Sequence, residues 1–261
     1  MHVAALQISS QGDIEENLSR LAVLLQEARK KEVELALLPE NFAFFGPEEE
    51  KIRRAQQISQ RANIFLREMA NALGMTVVGG GFPYPARDGK VFNRMLAFSP
   101  LGEQLYCYDK THLFDVEVEG LVYRESAVTE PGISLPTPFS VAELSFLGAI
   151  CYDLRFPEIF RQPGVDVILL SAAFTQTTGE AHWEVLLRAR AIENQCYVVA
   201  SAQWGQHFGG RKTFGHSMII DPWGVVMEIL TEGDGLVIAE LSQERLREVR
   251  TKLPALRHRR F

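Results

Sequence analysis

Three stretches of this chain end an apolar run in a residue that can do chemistry. GAICYDLRFPEIF (148–160) carries Cys151 behind small and apolar residues, with an aromatic, an acid and an arginine just beyond it. LLPENF (37–42) carries Glu40, and YDKTHLFD (108–115) carries Lys110. A cysteine at the carboxyl end of a strand in an α/β sheet faces the crevice where such sheets bind ligands. Backbone N–H groups there lower a thiol pKa and hold an oxyanion. A glutamate at the rim of an apolar site serves as a general base, and a fixed ammonium stabilises thiolate and tetrahedral oxyanion alike. Each residue alone has a blander reading: a buried thiol acting as a small hydrophobe, a solvated carboxylate, a surface lysine. A base, a cation and a thiol at three strand ends favour nucleophilic catalysis, because one sheet arrangement can bring them together. Cys107 and Cys196 have no polar groups converging after them and are read as core. None of the six histidines lies near Cys151 in sequence, so Glu40 is the candidate base, with a spatially adjacent histidine left open.

The elements that must position these residues follow from periodicity. Short apolar runs at 3–8, 35–38, 75–78, 146–150, 165–170, 197–200 and 236–241 read as strands. Ile14, Leu18, Leu21, Leu25 and Ala28 recur at helical spacing behind Asp13, a candidate cap. Ile58, Ala62, Phe65, Met69 and Leu73 mark a second helix. Residues 182–195 and 243–252 are helical, and Pro157 with Glu158 suits the first turn of another helix. Ser99-Pro100-Leu101-Gly102 and Asp221-Pro222-Trp223-Gly224 centre two hairpins, a hint of pseudo-repeated halves. Strands alternating with helices, plus hairpins, predict a mixed sheet covered by helices. No Pro-, Gly- or Ser-rich linker divides residues 1–261, so one domain is expected.

The totals bound the function class. The 261 residues are 46% hydrophobic, enough to bury a full core. A net charge of −6 argues against nucleic-acid binding, and the basic run Arg257 to Arg260 has no interleaved aromatics to revive it. Three cysteines argue against a disulfide framework and for a reducing compartment. MHVAALQISSQGD lacks the basic and long apolar segments of a signal peptide, and no run approaches the roughly 18 apolar residues of a membrane span. The expected setting is cytoplasmic, without a membrane partner. His182 and Glu184 do not have a metal-site spacing, and no metal is expected.

In this order, and 70 and 41 residues apart, the three blocks resemble the Glu-Lys-Cys signature of the carbon–nitrogen hydrolase, or nitrilase, superfamily. KTHLFDVEVEG, AHWEVLLRARAIENQCYVVASAQ, GHSMIIDPWG and LPALRHRR are similar to its Nit branch. The resemblance implies an α/β fold, a four-layer αββα sandwich that dimerises to αββα–αββα. It implies hydrolysis of a small-molecule amide without a cofactor. It places the helix at 182–195, whose Val185, Leu186, Ala189 and Ile192 are core-like by their helical spacing, at the interface of a homodimer or higher homo-oligomer. It also implies a second glutamate beside the lysine, best placed at Glu125 in VYRES, with Glu119 competing. Lys110 and the Tyr152 N–H would hold the oxyanion. The implied substrate is deaminated glutathione, with a 2-oxoglutaramate-type ω-amide or another small amide as the alternative. A non-catalytic interaction module is a third reading, disfavoured by the intact Glu40, Lys110 and Cys151. For an anionic substrate, Arg155 is the first candidate for the oxo-acid carboxylate, weighed evenly against an ion pair with Asp153 or Glu158. Phe42, Phe174, Thr175 and Trp204 are candidate walls or polar contacts. Arg211 and Lys212 are read as a solvated loop in preference to a second carboxylate contact.

Overall fold

The computed structural model describes residues 1–118 and 120–260. The first half of the chain forms β1 (His2–Gln7), α1 (Ile14–Lys30), β2 (Leu35–Leu38), α2 (Glu48–Arg53), α3 (Ala55–Leu73), β3 (Thr76–Pro85), β4 (Val91–Phe98) and β5 (Gln104–Asp109). A small hairpin, β6 (Asp115–Val118) and β7 (Leu121–Arg124), leads onward. Then come β8 (Phe139–Val141), β9 (Leu144–Ile150), β10 (Val167–Ala172), α4 (Gln176–Asn194) and β11 (Tyr197–Ala202). The short pair β12 (Trp204–Gln206) and β13 (Lys212–Phe214) precedes β14 (Ser217–Ile220) and β15 (Val226–Leu230). Last are β16 (Gly235–Glu240) and α5 (Gln243–Lys252).

Two six-stranded sheets result, ordered β16-β1-β2-β3-β4-β5 and β15-β14-β11-β10-β9-β8. In each, three successive parallel strands (β1, β2, β3; β9, β10, β11) are flanked by one antiparallel strand and an antiparallel hairpin. The hairpins turn at the SPLG and DPWG sequences, so the pseudo-repeat is a repeat of topology. The period of two along each strand builds the layers. Val3, Ala5, Leu35 and Leu37 pack toward Phe146, Leu169 and Val199 of the second sheet. Ala4, Leu6, Ala36 and Leu38 pack under α1 and α3. With α4 and α5 on the second sheet, the layers are αββα. Asp13 caps α1 by accepting from the Glu16 N–H at 3.0 Å, and Ile14, Leu18, Leu21, Leu25 and Ala28 form its buried stripe.

Four expectations change. The strand expected at 75–78 continues through Gly79, Gly80 and Gly81 to Pro85. Its glycines let it pass close to the second sheet: a Cβ on Gly80 would lie 1.9 Å from Ser171 Oγ. The helix expected from Pro157 is only two short 3₁₀ turns, Cys151–Arg155 and Pro157–Phe160. Helix α4 buries Trp183, Leu187, Arg190, Ala191 and Asn194, while Val185 and Ile192 are 68% and 49% exposed. Arg190 misleads the pattern, because its guanidinium turns inward to the Leu154 carbonyl (3.0 and 2.8 Å). Cys107 is exposed, since Tyr106 and Tyr108 take the inward side of β5.

Candidate active site

Glu40 follows β2, Lys110 follows β5 and Cys151 follows β9. Because β2, β3 and β5 run the same way and the sheets stack, these ends meet in one place. Two side chains pin the junction across the sheets. Ser171 Oγ donates to the Leu38 carbonyl at 2.7 Å, and Gln203 Nε2 donates to the Glu40 carbonyl at 2.9 Å. Cys151 stands where the strand turns abruptly into a 3₁₀ turn, at φ +49°, a left-handed conformation that a non-glycine residue adopts only under constraint. The constraint is visible. Asp153, fully buried, accepts from the Ile150 N–H (3.0 Å), the Tyr108 hydroxyl (2.8 Å) and the His112 N–H (3.2 Å). It also lies 2.8 Å from His112 Nδ1, whose ring stacks on Phe156 with centroids 3.7 Å apart. One carboxylate thereby ties the Cys151 turn to the segment that carries Lys110. Arg190 braces the same turn from α4.

Lys110 is 2% exposed and lies between two carboxylates. Its Nζ donates to Glu125 Oε2 at 2.8 Å and Oε1 at 3.1 Å, and to Glu40 Oε1 at 3.2 Å. Asn93 Nδ2 donates to Glu40 Oε1 at 2.8 Å and Glu125 Oε1 at 3.3 Å. The Ala173 N–H holds Glu40 Oε2 at 2.9 Å, and the Phe114 N–H holds Glu125 Oε2 at 2.7 Å. Burial lowers the Lys110 pKa, but the charges of Glu125 and Glu40 outweigh it and hold it well above the usual value. Burial likewise pushes Glu125 up, and the charge and hydrogen bonds of Lys110 outweigh it, leaving the carboxyl below its ordinary range. Burial and then the Glu40 charge raise the Cys151 thiol far above a free cysteine, with Lys110 acting the other way. A thiol raised in this way is neutral at rest, and a thiol of that kind needs a base to become a nucleophile. Glu119 lies outside the described residues; Glu125 is the glutamate at Lys110.

The cluster opens into a cavity of about 310 Å³. Tyr152, Arg155, Phe174 and Thr175 line it, as anticipated. Arg155 pairs with neither Asp153 nor Glu158: its guanidinium sits over the Phe174 and Tyr152 rings (5.4 and 5.8 Å) and 3.2 Å from His182 Nδ1. Thr175 caps α4, accepting from the Thr178 N–H. Phe42 is a correction: it is fully buried edge-on against Phe82, and Phe45 lines the cavity in its stead. Asn41, at φ +59°, turns the chain between Glu40 and Phe42 and sends that side chain into the core. Trp204 is also outside, donating to Asp234 at 2.7 Å. Arg211 and Lys212, read as a solvated loop, line the cavity. Asn93, Lys51 and Glu48 were missed. Asn93 had one faint signal, a polar side chain inside the strand sequence VFNRMLAF.

The family model for carbon-nitrogen hydrolase matches residues 2–251. The deaminated glutathione amidase of Synechocystis sp. is 46% identical, over 99% of this chain and 97% of that protein. The crystal structure of the C. elegans NitFhit protein superposes with a TM-score of 0.94 at 36% identity; it covers 99% of this chain, which spans 65% of NitFhit's length. A mutant of the amidase from Nesterenkonia sp. AN1, showing the result of Michael addition of acrylamide at the active-site cysteine, superposes with a TM-score of 0.83 at 25% identity over 97% of this chain and 98% of that one.

Proposed function

The chain belongs to the carbon-nitrogen hydrolase family, and from that we propose that it hydrolyses deaminated glutathione to 2-oxoglutarate and cysteinylglycine, with Cys151 as nucleophile. It is an amidohydrolase. The substrate reading rests on the named relative and on a cationic cavity above a buried Glu–Lys–Glu cluster. That cluster beside Cys151 is the observation that carries the residue roles. Glu40 takes the thiol proton as Sγ attacks the amide carbonyl. Lys110 Nζ and the Tyr152 N–H stabilise the oxyanion. As the tetrahedral intermediate collapses, Glu40 returns the proton to the leaving amine and a thioester remains. Glu40 then deprotonates a water, which attacks the thioester carbonyl; the acid leaves and the thiol is restored. Glu125 keeps Lys110 charged and fixed, and Asn93 fixes Glu40. Arg155, framed by Tyr152 and Phe174 beside the nucleophile, binds the 2-oxo acid carboxylate.

A homodimer belongs to the same reading. Val185 and Ile192 form an exposed apolar face on α4. It continues onto the DPWG turn, where Ile192 packs at Gly224 and Trp223 and Val225 are exposed. One hydrolase domain over the chain fits the shared core of the two sheets.

The test is hydrolysis of deaminated glutathione beside 2-oxoglutaramate by the wild type and by Cys151→Ala. The expected outcome is preference for the tripeptide analogue and no turnover by the variant. Preference for 2-oxoglutaramate would replace the substrate and keep the nucleophile. Full activity in Cys151→Ala would remove the mechanism.

A further inference from the structure

The cavity carries charges that the Glu40–Lys110–Glu125 cluster does not use. Outside that cluster, the described lining residues include the cations Lys51, Arg124, Arg155, Arg211 and Lys212, and Glu48 as the sole anion. The chain as a whole has a net charge of −6, so this surplus is local. A cleft lined by one sign of charge concentrates ligands of the other. Glu48 opens α2, and its carboxylate spans two elements: Oε2 lies 2.8 Å from Lys51 Nζ and Oε1 lies 3.2 Å from Arg211 Nη1. Burial pushes the Glu48 carboxyl up, but Lys51 and Arg211 together hold it below its ordinary value. A carboxylate between these two cations is therefore charged at neutral pH.

The place is built rather than incidental. Phe45 stacks on His207 with centroids 4.2 Å apart. His207 is itself buried, hydrogen-bonded to the Ser10 carbonyl and Thr213 Oγ1 at 2.8 and 2.7 Å. The strands of the β12–β13 hairpin are thus anchored. Between them Gly209 and Gly210, both at positive φ, permit the tight turn that brings Arg211 to the cavity. Arg155 stands on the nucleophile's own turn, whereas Lys51 and Arg211 belong to a separate wall. Two separated cation sites suit an amide with a carboxylate on each side of the scissile bond.

We propose that Arg211, supported by Lys51, is the specificity-determining contact for a carboxylate on the leaving-group side of the amide, and that Glu48 is the internal carboxylate which such a substrate displaces. This rests on the reading of the chain as a hydrolase of 2-oxo amides. Exchange of one carboxylate for another keeps the two cations paired, while the partly exposed Glu48 carboxylate gives up its partners to solvent, a cost the incoming carboxylate must outweigh.

The test compares deaminated glutathione with its C-terminal carboxamide and with 2-oxoglutaramate. The three share an acyl half and form the same thioester, and only the first has a leaving-group carboxylate. The wild type is expected to favour the acid over the carboxamide by roughly ten-fold or more in kcat/KM. Arg211→Ala should erase that ratio, chiefly through KM, and Arg211→Lys should restore part of it. Glu48→Gln should lower KM for the acid without a matching change for the carboxamide. Arg155→Ala should weaken all three substrates together. A wild type indifferent to the carboxamide, or an Arg211→Ala loss equal across all three, overturns the proposal and leaves the amidase reading standing. A wild type that cleaves none of the three overturns both.

Discussion

At the scale of single residues, the site trades reactivity against order. A free thiolate beside Glu40 would set two anions together in a buried space, and the fold instead favours the protonated Cys151 thiol. This has a consequence for stability. The native thiol pKa is raised far above the unfolded value of about 8.5. Its contribution is therefore complete below that pH and is lost as pH rises, because the unfolded chain releases the proton first. As pH rises from 7.5 to 10 the wild type should lose more stability than Cys151→Ala. Denaturant unfolding of both proteins at pH 7.5 and 10 reads the difference, and parallel pH slopes would refute it. The partners show the complementary signs. Glu125, depressed, stabilises fully above about pH 4.3 and loses that contribution as pH falls. Lys110, elevated, stabilises fully below about pH 10.4 and loses it as pH rises.

At the scale of elements, positioning depends on turns with little room. β3 passes Glu40 at Gly81, at φ +66°, where a Cβ would lie 2.6 Å from Glu40 Cγ and 2.7 Å from Asn93 Oδ1. Gly81→Ala must shift both side chains or bend the strand. The expected result is a kcat lower by about 10²-fold with only a modest fall in Tm, since a 1 Å displacement at a reacting group has that effect. Near-wild-type kcat would mean that the strand yields without moving Glu40. The Cys151 turn is held differently, by the buried Asp153 and by Arg190 reaching across from α4. α4 thus bears on the site through its inner face while its outer face stays apolar and exposed.

At the scale of the whole molecule, the stacked sheets bring distant strand ends into one cluster, and α4 links that cluster to the surface. If the exposed α4 face is the dimer contact, Val185→Glu with Ile192→Glu would bury charge without a partner there. Sedimentation velocity should show a dimer for the wild type and a monomer for the double variant, with the far-UV circular dichroism unchanged. A monomeric wild type at micromolar concentration would remove this interface. No helix among the described residues is long and apolar enough to cross a membrane.

Local pattern was enough for much of this protein. Strand and helix periodicity, the Asp13 cap and the two hairpin turns each involve residues close in sequence, and the structure realises them. Motif order was enough for Glu40, Lys110 and Cys151 to be singled out but left Glu125 competing with Glu119, and the fold brings Glu40, Lys110, Glu125 and Cys151 together. What touches them was decided only by tertiary structure. Asn93 meets Glu40 from 53 residues away and the Ala173 N–H from 133, through strand pairing and sheet stacking that leave no local trace. Arg190 points inward and Val185 outward because a buried guanidinium found the Leu154 carbonyl, which no hydropathy pattern encodes. Phe42, expected as a wall, lies in the core and Phe45 lines the cavity because the left-handed Asn41 rotates the chain between Glu40 and the next side chain. Residue types and their order specify which groups can react; the packing of one sheet on the other decides which groups those reacting groups meet.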